Sequence, residues 1–207
     1  MVGRGVVVLA GLLAVASVGR AADSAPTAVV RQFNDALLSV LKDGEKLGYS
    51  GRYQRLRAVM QETFDLDFMA EKVLGKSWDD LSDADRTRWR EVFSEFTVAN
   101  YAANFDRFTG QQFEIRGEEP SANATVLVKS LVKSPGHEDV ELTYRLYQVG
   151  SRWRIMDVFL KGTVSEVALR RSDYGSVLER DGFGKLVDVV RARIADLAAG
   201  RARRDQP

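Results

Sequence analysis

The chain has 207 residues, with 30 lysines and arginines against 29 aspartates and glutamates, a formal net charge of +1, one histidine and no cysteine. A balance this close to neutral, with neither a basic stripe nor a binding motif, argues against nucleic acid as a partner. One histidine and no cysteine exclude the common zinc ligand sets and any Cys–His nucleophile pair.

Arg4 precedes an apolar run from Val6 to Val18, and Gly19-Arg20-Ala21 follows, with small residues at the two positions a signal peptidase reads. This is the pattern of a secretory signal peptide over residues 1–21, and the run is short for a bilayer span. Cleavage after Ala21 would leave 186 residues carrying 28 basic and 29 acidic side chains, enough for one domain with a full core. That domain is expected over residues 22–200. No cysteine follows the run to carry a lipid anchor, and no later apolar stretch approaches the roughly 20 residues of a membrane helix.

From Pro26 to Lys42, Val29, Val30, Phe33, Leu37 and Leu41 recur at helical spacing. Asp43-Gly44 can end that helix, and Gly44 to Gly51, with three glycines, reads as a loop. Arg52 to Phe64 is helical again, with Tyr53, Leu56, Met60 and Phe64 in register. Asp65 or Asp67 can cap a short helix running through Val73. Ser82 and Asp85 form a capping box that opens a helix to about Thr109, carrying Trp89, Val92, Phe93, Phe96, Tyr101 and Phe105. A helix near 27 residues long predicts an internal bend.

The period then becomes two. Phe113 to Glu118 reads as a strand. Val126, Val128, Ser130 and Val132 alternate with Leu127, Lys129, Leu131 and Lys133, and Val140, Leu142, Tyr144 and Leu146 alternate likewise after a Pro-Gly turn. Gly150-Ser151 turns the chain into Arg152 to Leu160. Ser172 to Glu179 and Lys185 to Leu197 read as two further helices, and residues 201–207 as a basic, frayed tail. The order of helices, strands and helices predicts an α+β fold, with a curved antiparallel sheet of about four strands wrapped by about six or seven helices.

Such a sheet can leave a ligand cavity, or the many large side chains on the helices (Phe33, Phe64, Phe68, Met69, Phe93 and Phe96 among them) can simply fill the core; periodicity does not separate the two. His137 lies in the turn Ser134-Pro135-Gly136-His137-Glu138, where a solvated role is the ordinary one. Asp157 sits in the apolar run Trp153 to Leu160. It is either a general base in a cavity or, the favoured reading, a structural acceptor for backbone amides or for an arginine such as Arg145 or Arg170. Tyr144 can equally hold a ligand's polar end or seal the core.

Taken together, Phe64-Asp65-Leu66-Asp67-Phe68-Met69-Ala70, Val73-Leu74-Gly75 and Trp78, the Arg88–Tyr101 helix, Tyr144-Arg145-Leu146, Trp153-Arg154-Ile155, Asp157-Val158 and Gly162–Ser165 resemble the MlaC and toluene-tolerance family of periplasmic lipid-binding proteins. Phe33–Leu38, Asp43–Tyr49, Gly51-Arg52-Tyr53, Ser165-Glu166 and Arg170-Arg171-Ser172 are most similar to its hopanoid-associated HpnM branch. Thr163 and the extended C-terminus depart from the family pattern. The resemblance implies a cone like that of nuclear transport factors, with an apolar cavity, and a periplasmic carrier that shuttles a hopanoid or phospholipid between the inner and outer membranes, with no catalytic residue, metal or cofactor. Its implied partners are an RND-type or Mla-type inner-membrane complex and an outer-membrane lipoprotein complex. One wall is expected from Phe33, Leu37, Leu41, Met60, Phe64 and Met69 together with Phe93, Phe96, Tyr101 and Phe105. The other is expected from Val126, Val128, Tyr144, Leu146 and Ile155. Lys161–Glu166 and Gly44–Gly51 are candidate gates, and Arg170 and Arg171 either guide docking or form a solvated helix face. Two rival readings are a cone-shaped enzyme acting on a sterol-like substrate through Asp157 and Tyr144, and an adaptor that binds only proteins.

Overall fold

The computed structural model describes residues 25–201; the expected signal peptide and all of the expected tail except Arg201 lie outside them. Five α-helices, one 3-10 turn and five strands make up the described residues, where six or seven helices and about four strands were expected. Helix α1 (Ala25–Lys42) buries Val30, Phe33, Leu37, Val40 and Leu41, the stripe its spacing predicts.

Helix α2 (Gly44–Thr63) begins after only Asp43, so the expected glycine loop at 44–51 is instead helical. Of its three glycines, only Gly48 leaves helical geometry, at φ 59° and ψ −178°, and it kinks the helix rather than opening a loop. Gly44 serves a different purpose. A Cβ there would lie 2.1 Å from the Asp106 carbonyl oxygen, so only glycine lets these two backbones meet.

Asp65 caps α3 (Leu66–Leu74) by accepting the Phe68 amide at 3.0 Å. Ser82 caps α4 (Asp83–Asn104). Its hydroxyl accepts the Asp85 amide at 3.1 Å, as the capping-box pattern predicts, and donates to the Asp85 carboxylate at 2.8 Å in place of the box's reciprocal backbone bond. Helix α4 stops at Asn104, short of Thr109, and carries no internal break. Phe105 turns away at φ −100° and ψ 68°, where its ring stacks between Tyr101 and Phe113 at centroid distances of 5.7 and 6.4 Å. Tertiary packing ends the helix where the sequence pattern would continue it.

The sheet has the order β1-β2-β3-β4-β5, every neighbour antiparallel. Strand β1 (Gln112–Ser121) outruns its expected end because it is an edge strand, where Pro120 is tolerated. Strands β2 (Thr125–Lys133), β3 (Val140–Val149) and β4 (Arg152–Leu160) follow the predicted meander. Strand β5 (Val164–Ser165) is too short to carry a periodic signal. Between β3 and β4 the register shifts: Arg145 faces Asp157, but Leu146 faces Ile155, so Met156 is an extra residue in β4. A bulge of this kind moves every later side chain to the opposite face. Thus Ile155, Val158 and Leu160 share the face of Leu146, Tyr144 and Leu142, and Asp157 lies on the other.

Helix α5 (Glu166–Ala198) merges the two expected C-terminal helices and starts earlier than either. Ser165 caps it by accepting the Ala168 amide at 3.0 Å, and Gly182, at φ 80° and ψ 174°, breaks its helical geometry midway. Beneath the helices, Phe33 meets Phe64, Tyr101 and Tyr144 edge-on at 4.8, 5.4 and 6.1 Å. Trp89 is fully buried and its indole donates to the Ala70 carbonyl at 2.8 Å.

Candidate functional site

A cleft of about 360 Å³ opens between α3, α4, the first turns of α5 and the ends of β3 and β4. Phe64 and, from α3, Met69 and Val73 form its floor. Along α4, Phe93, Phe96, Thr97, Asn100, Tyr101 and Asn104 recur every three or four residues and present one continuous wall, which Phe105 extends. Leu142, Val158 and Leu160 reach it from the sheet, on the face that the β4 bulge selects. Val167, Glu166 and Arg170 close it from α5. A smaller cleft of about 110 Å³ shares Asn100 and Asn104 with the first and takes in Tyr49, Arg52 and Arg193.

The charged groups in the main cleft are paired. Glu166 and Arg170, one helical turn apart, approach to 3.6 Å, each about 25% exposed. Burial pushes the Glu166 carboxyl above the ordinary glutamate range; Arg170 opposes this, and the charges of Asp157 and Asp173 add to it. The Arg170 guanidinium also lies over the Phe96 ring at 4.9 Å. Burial, reinforced by the Glu166 charge, pushes the Tyr101 phenol far above its usual value.

Six of the residues expected to line a cavity do line this cleft: Phe64, Met69, Phe93, Phe96, Tyr101 and Phe105. The others do not. Phe33, Leu37, Leu41 and Met60 lie in packed core under α1 and α2, and Val128, Tyr144, Leu146 and Ile155 meet them from the sheet. Val126 is half-buried and outside the lining. In this structure the face of α1 against mid-sheet is filled by interlocking rings, and the opening lies toward α5. Of the two candidate gates, Gly44–Gly51 adds Tyr49 to the smaller cleft, and Lys161–Glu166 ends at the main one. Arg171 donates to the Lys72 carbonyl, tying α5 to α3.

Sequence reasoning missed Val73, Leu142, Val158, Leu160 and Val167 and the polar members Thr97, Asn100 and Asn104, and it named Glu166 only as part of a gate and Arg170 only as a docking or surface residue. The 97, 100 and 104 spacing was a readable signal of a polar stripe beside the aromatic one. Nothing in the sequence marked the bulge that turns Val158 inward.

The same bulge decides the role of Asp157. Its Oδ1 accepts the amides of Val158 and Val167 at 2.8 and 3.1 Å, and its Oδ2 accepts the Ser165 hydroxyl at 2.6 Å. The carboxylate fastens β4 to the start of α5 and does not line the cleft, so the structural reading holds, with backbone amides and Ser165 as partners rather than an arginine. Tyr144 is fully buried. Its hydroxyl donates to Asn34 Oδ1 at 3.3 Å, and Asn34 Nδ2 donates to Ser130 Oγ at 3.0 Å. It seals the core. Asp157 and Tyr144 are thus not gathered around the cleft as a base and a donor. His137 is exposed, in a turn closed by its own amide to the Ser134 carbonyl at 3.1 Å.

Comparison with known proteins bears on the fold and the family. The structure of a phospholipid-binding protein from Ralstonia solanacearum, solved in complex with a phospholipid, is similar to this one with a TM-score of 0.74 at 21% identity. The match covers 84% of this chain and 99% of that one. No curated protein matches the chain. The family model described as MlaC protein matches residues 31–192, which include every residue that lines the main cleft, and on that match the chain belongs to the MlaC family.

Proposed function

We propose that the chain is a periplasmic lipid carrier, that residues 22–200 form its single lipid-binding domain, and that it holds the apolar part of a phospholipid or hopanoid in the cleft between α4, α5 and the sheet. The observation that carries this reading is the cleft itself. Its volume falls within the range of small-molecule sites, and five phenylalanine and tyrosine rings line it together with aliphatic side chains. Membership of the MlaC family and the phospholipid held by the Ralstonia protein support the same reading.

The energetics favour a carrier that needs no catalyst. A lipid with about 25 to 30 buried carbons loses roughly 20 kcal/mol on entering water, at about 0.8 kcal/mol per methylene. A barrier of that size makes unassisted escape from a membrane slow. A protein that supplies an apolar surface at each moment removes most of it. The cleft's 360 Å³ lies near the lower end of the range for small-molecule sites, and a lipid with two acyl chains is larger than the ligands such sites enclose. Full loading therefore calls for the cleft to widen, and docking on an inner-membrane RND-type or Mla-type complex, or on an outer-membrane lipoprotein complex, would bias that widening.

The test is extraction of lipid from protein purified gently from the periplasm, followed by native mass spectrometry. A carrier arrives with a stoichiometric lipid, and transfer of that lipid between donor and acceptor vesicles rises with protein concentration. Protein that is folded yet free of lipid, and that leaves vesicle transfer unchanged, would sink the reading in favour of a protein-binding adaptor.

A further inference from the structure

A lipid whose apolar part fills the main cleft brings its polar end out beside it, and the two ends of that cleft offer the polar end different company. At the start of α5, Glu166 and Arg170 are paired with each other. The amides that a helix N-terminus turns toward an anion are taken there, Val167 donating to Asp157 and Ala168 to Ser165. At the end of α4, Asn100 and Asn104 are wall residues of both clefts, so the smaller cleft adjoins the main one along them. The smaller cleft gathers charge of both signs: Arg52 enters it from α2 and Arg193 from α5, beside Asp106 and the ring of Tyr49.

Arg52 is pinned in place, its Nε donating to the Ala102 carbonyl and its Nη1 to the Gly44 carbonyl, both at 2.9 Å. Tying α2 to α4 explains Arg52 alone, and an exposed helix face explains Arg193 alone. Neither explains why opposite charges meet at one opening beside an apolar cleft. Two guanidinium groups suit a phosphate diester. Asp106 suits a cation, and so do the carbonyl ends of α4 and α5, which carry partial negative charge and meet at this cleft through Asn104 and Ala198. The Tyr49 ring adds a face that attracts an ammonium group. A carboxylate has about four lone-pair sites, so Asp106 serves a further donor without giving up an existing partner. A simple anion would use half of this arrangement. A headgroup that carries a phosphate and an ammonium a few bonds apart uses all of it.

We propose that the smaller cleft is the headgroup subsite for a zwitterionic phospholipid whose apolar part lies in the main cleft, with Arg52 and Arg193 toward the phosphate and Asp106 toward the ammonium. The proposal rests on the carrier reading and deepens it, since it names the polar end of the cargo and where that end sits. Asn100 and Asn104, at the boundary, present uncharged amides to the ester region between headgroup and chains.

The test uses purified protein freed of co-purifying lipid and equilibrated with vesicles of phosphatidylethanolamine and phosphatidylglycerol in equal amounts with identical acyl chains. Lipid on the re-isolated protein is then quantified by mass spectrometry. Both lipids carry the phosphate and only one the ammonium. The expected result is phosphatidylethanolamine enriched by about two- to fivefold, the effect of an exposed ion pair, and by less at high salt. Asp106→Asn should shift the ratio toward phosphatidylglycerol by the same factor. Arg193→Gln should lower retention of both lipids and leave unchanged that of diacylglycerol, measured in parallel, which has no phosphate; it keeps the subsite testable if the first variant fails to fold. Soluble glycerophosphoethanolamine given alone should not be retained, which separates a lipid headgroup from a free phosphodiester as the ligand. Retention of that compound at the level of the lipid, a preference for phosphatidylglycerol, or a ratio and a retention that neither variant moves would overturn the headgroup subsite while leaving the carrier intact. Folded protein that takes up no lipid of any kind would overturn both.

Discussion

Two halves of one helical layer use the same side chains to opposite effect. Where α1 crosses the sheet, Phe33, Phe64 and Tyr144 interlock edge-to-face with no exposed surface to speak of, and the buried polar atoms are closed into the chain Tyr144–Asn34–Ser130. Where α4 and α5 cross the ends of β3 and β4, Phe93, Phe96 and Phe105 stand around an open cleft, and Glu166 and Arg170, paired and a quarter exposed, border it with Tyr101. The difference lies in where the polar atoms sit, more than in aromatic content: sealed between α1 and the sheet in one half, and bordering a cleft in the other.

Substitutions break this contrast in a definite order. Phe33→Ala should cost most, about 3 to 5 kcal/mol in chemical denaturation, because the rings around it cannot collapse into the void. Asn34→Ala should follow at about 1 to 3 kcal/mol, since it strands the Tyr144 and Ser130 hydroxyls away from water. Adding Tyr144→Phe should then cost less than it does alone, which a double-mutant cycle measures. Phe96→Ala, whose void merges with the cleft, should cost clearly less than Phe33→Ala, about 1 to 3 kcal/mol, and should change lipid retention more than either core variant that still folds. Asp157→Asn should lower stability modestly through the Ser165 bond and leave lipid binding in place; loss of binding by protein that still folds would show that the β4–α5 fastening shapes the cleft itself.

The smallest expected effect has the opposite sign. The Glu166 carboxyl titrates higher in the folded chain than in the unfolded one, chiefly through burial, with Asp157 and Asp173 opposing its ionisation and Arg170 favouring it. A raised carboxyl pKa means that the folded state binds the proton more tightly, so this contribution to stability is fully present in acid and is lost as pH rises through the folded pKa. Glu166→Gln should therefore raise the melting temperature slightly at pH 7.5, and the gain should vanish in acid below the unfolded glutamate value. A gain that persists unchanged in acid would mean that charge is not its cause.

Much of the architecture could be read from the chain because it is written in local periods. The stripe of α1, the Ser82–Asp85 box and the alternation in β2 and β3 each specify an element by residues a few positions apart. The cleft was only half legible. Its α4 wall follows helical spacing, but its sheet wall depends on Met156, one residue that reverses the phase of β4 and exchanges Asp157 for Val158. No local pattern announces a bulge, since it arises from pairing with another strand. The wall expected from α1 differs from the wall of this cleft for a related reason: spacing tells which side chains face inward, and only assembly tells whether the inside is full.

The break at Gly182 gives α5 two separate tenancies. Beyond it, Leu186, Val187 and Val190 are rooted in the core, whereas before it the helix presents Glu166, Val167 and Arg170 to the cleft and buries little besides Tyr174. The forward segment is held instead by Asp157, which takes the Ser165 hydroxyl and the Val167 amide, by Arg171 on the Lys72 carbonyl and by the Tyr174 ring against Trp89. One helix is thus retained in two ways, by apolar burial behind the glycine and chiefly by a few directed ties in front of it, so that single substitutions should loosen the front far more readily than the rear.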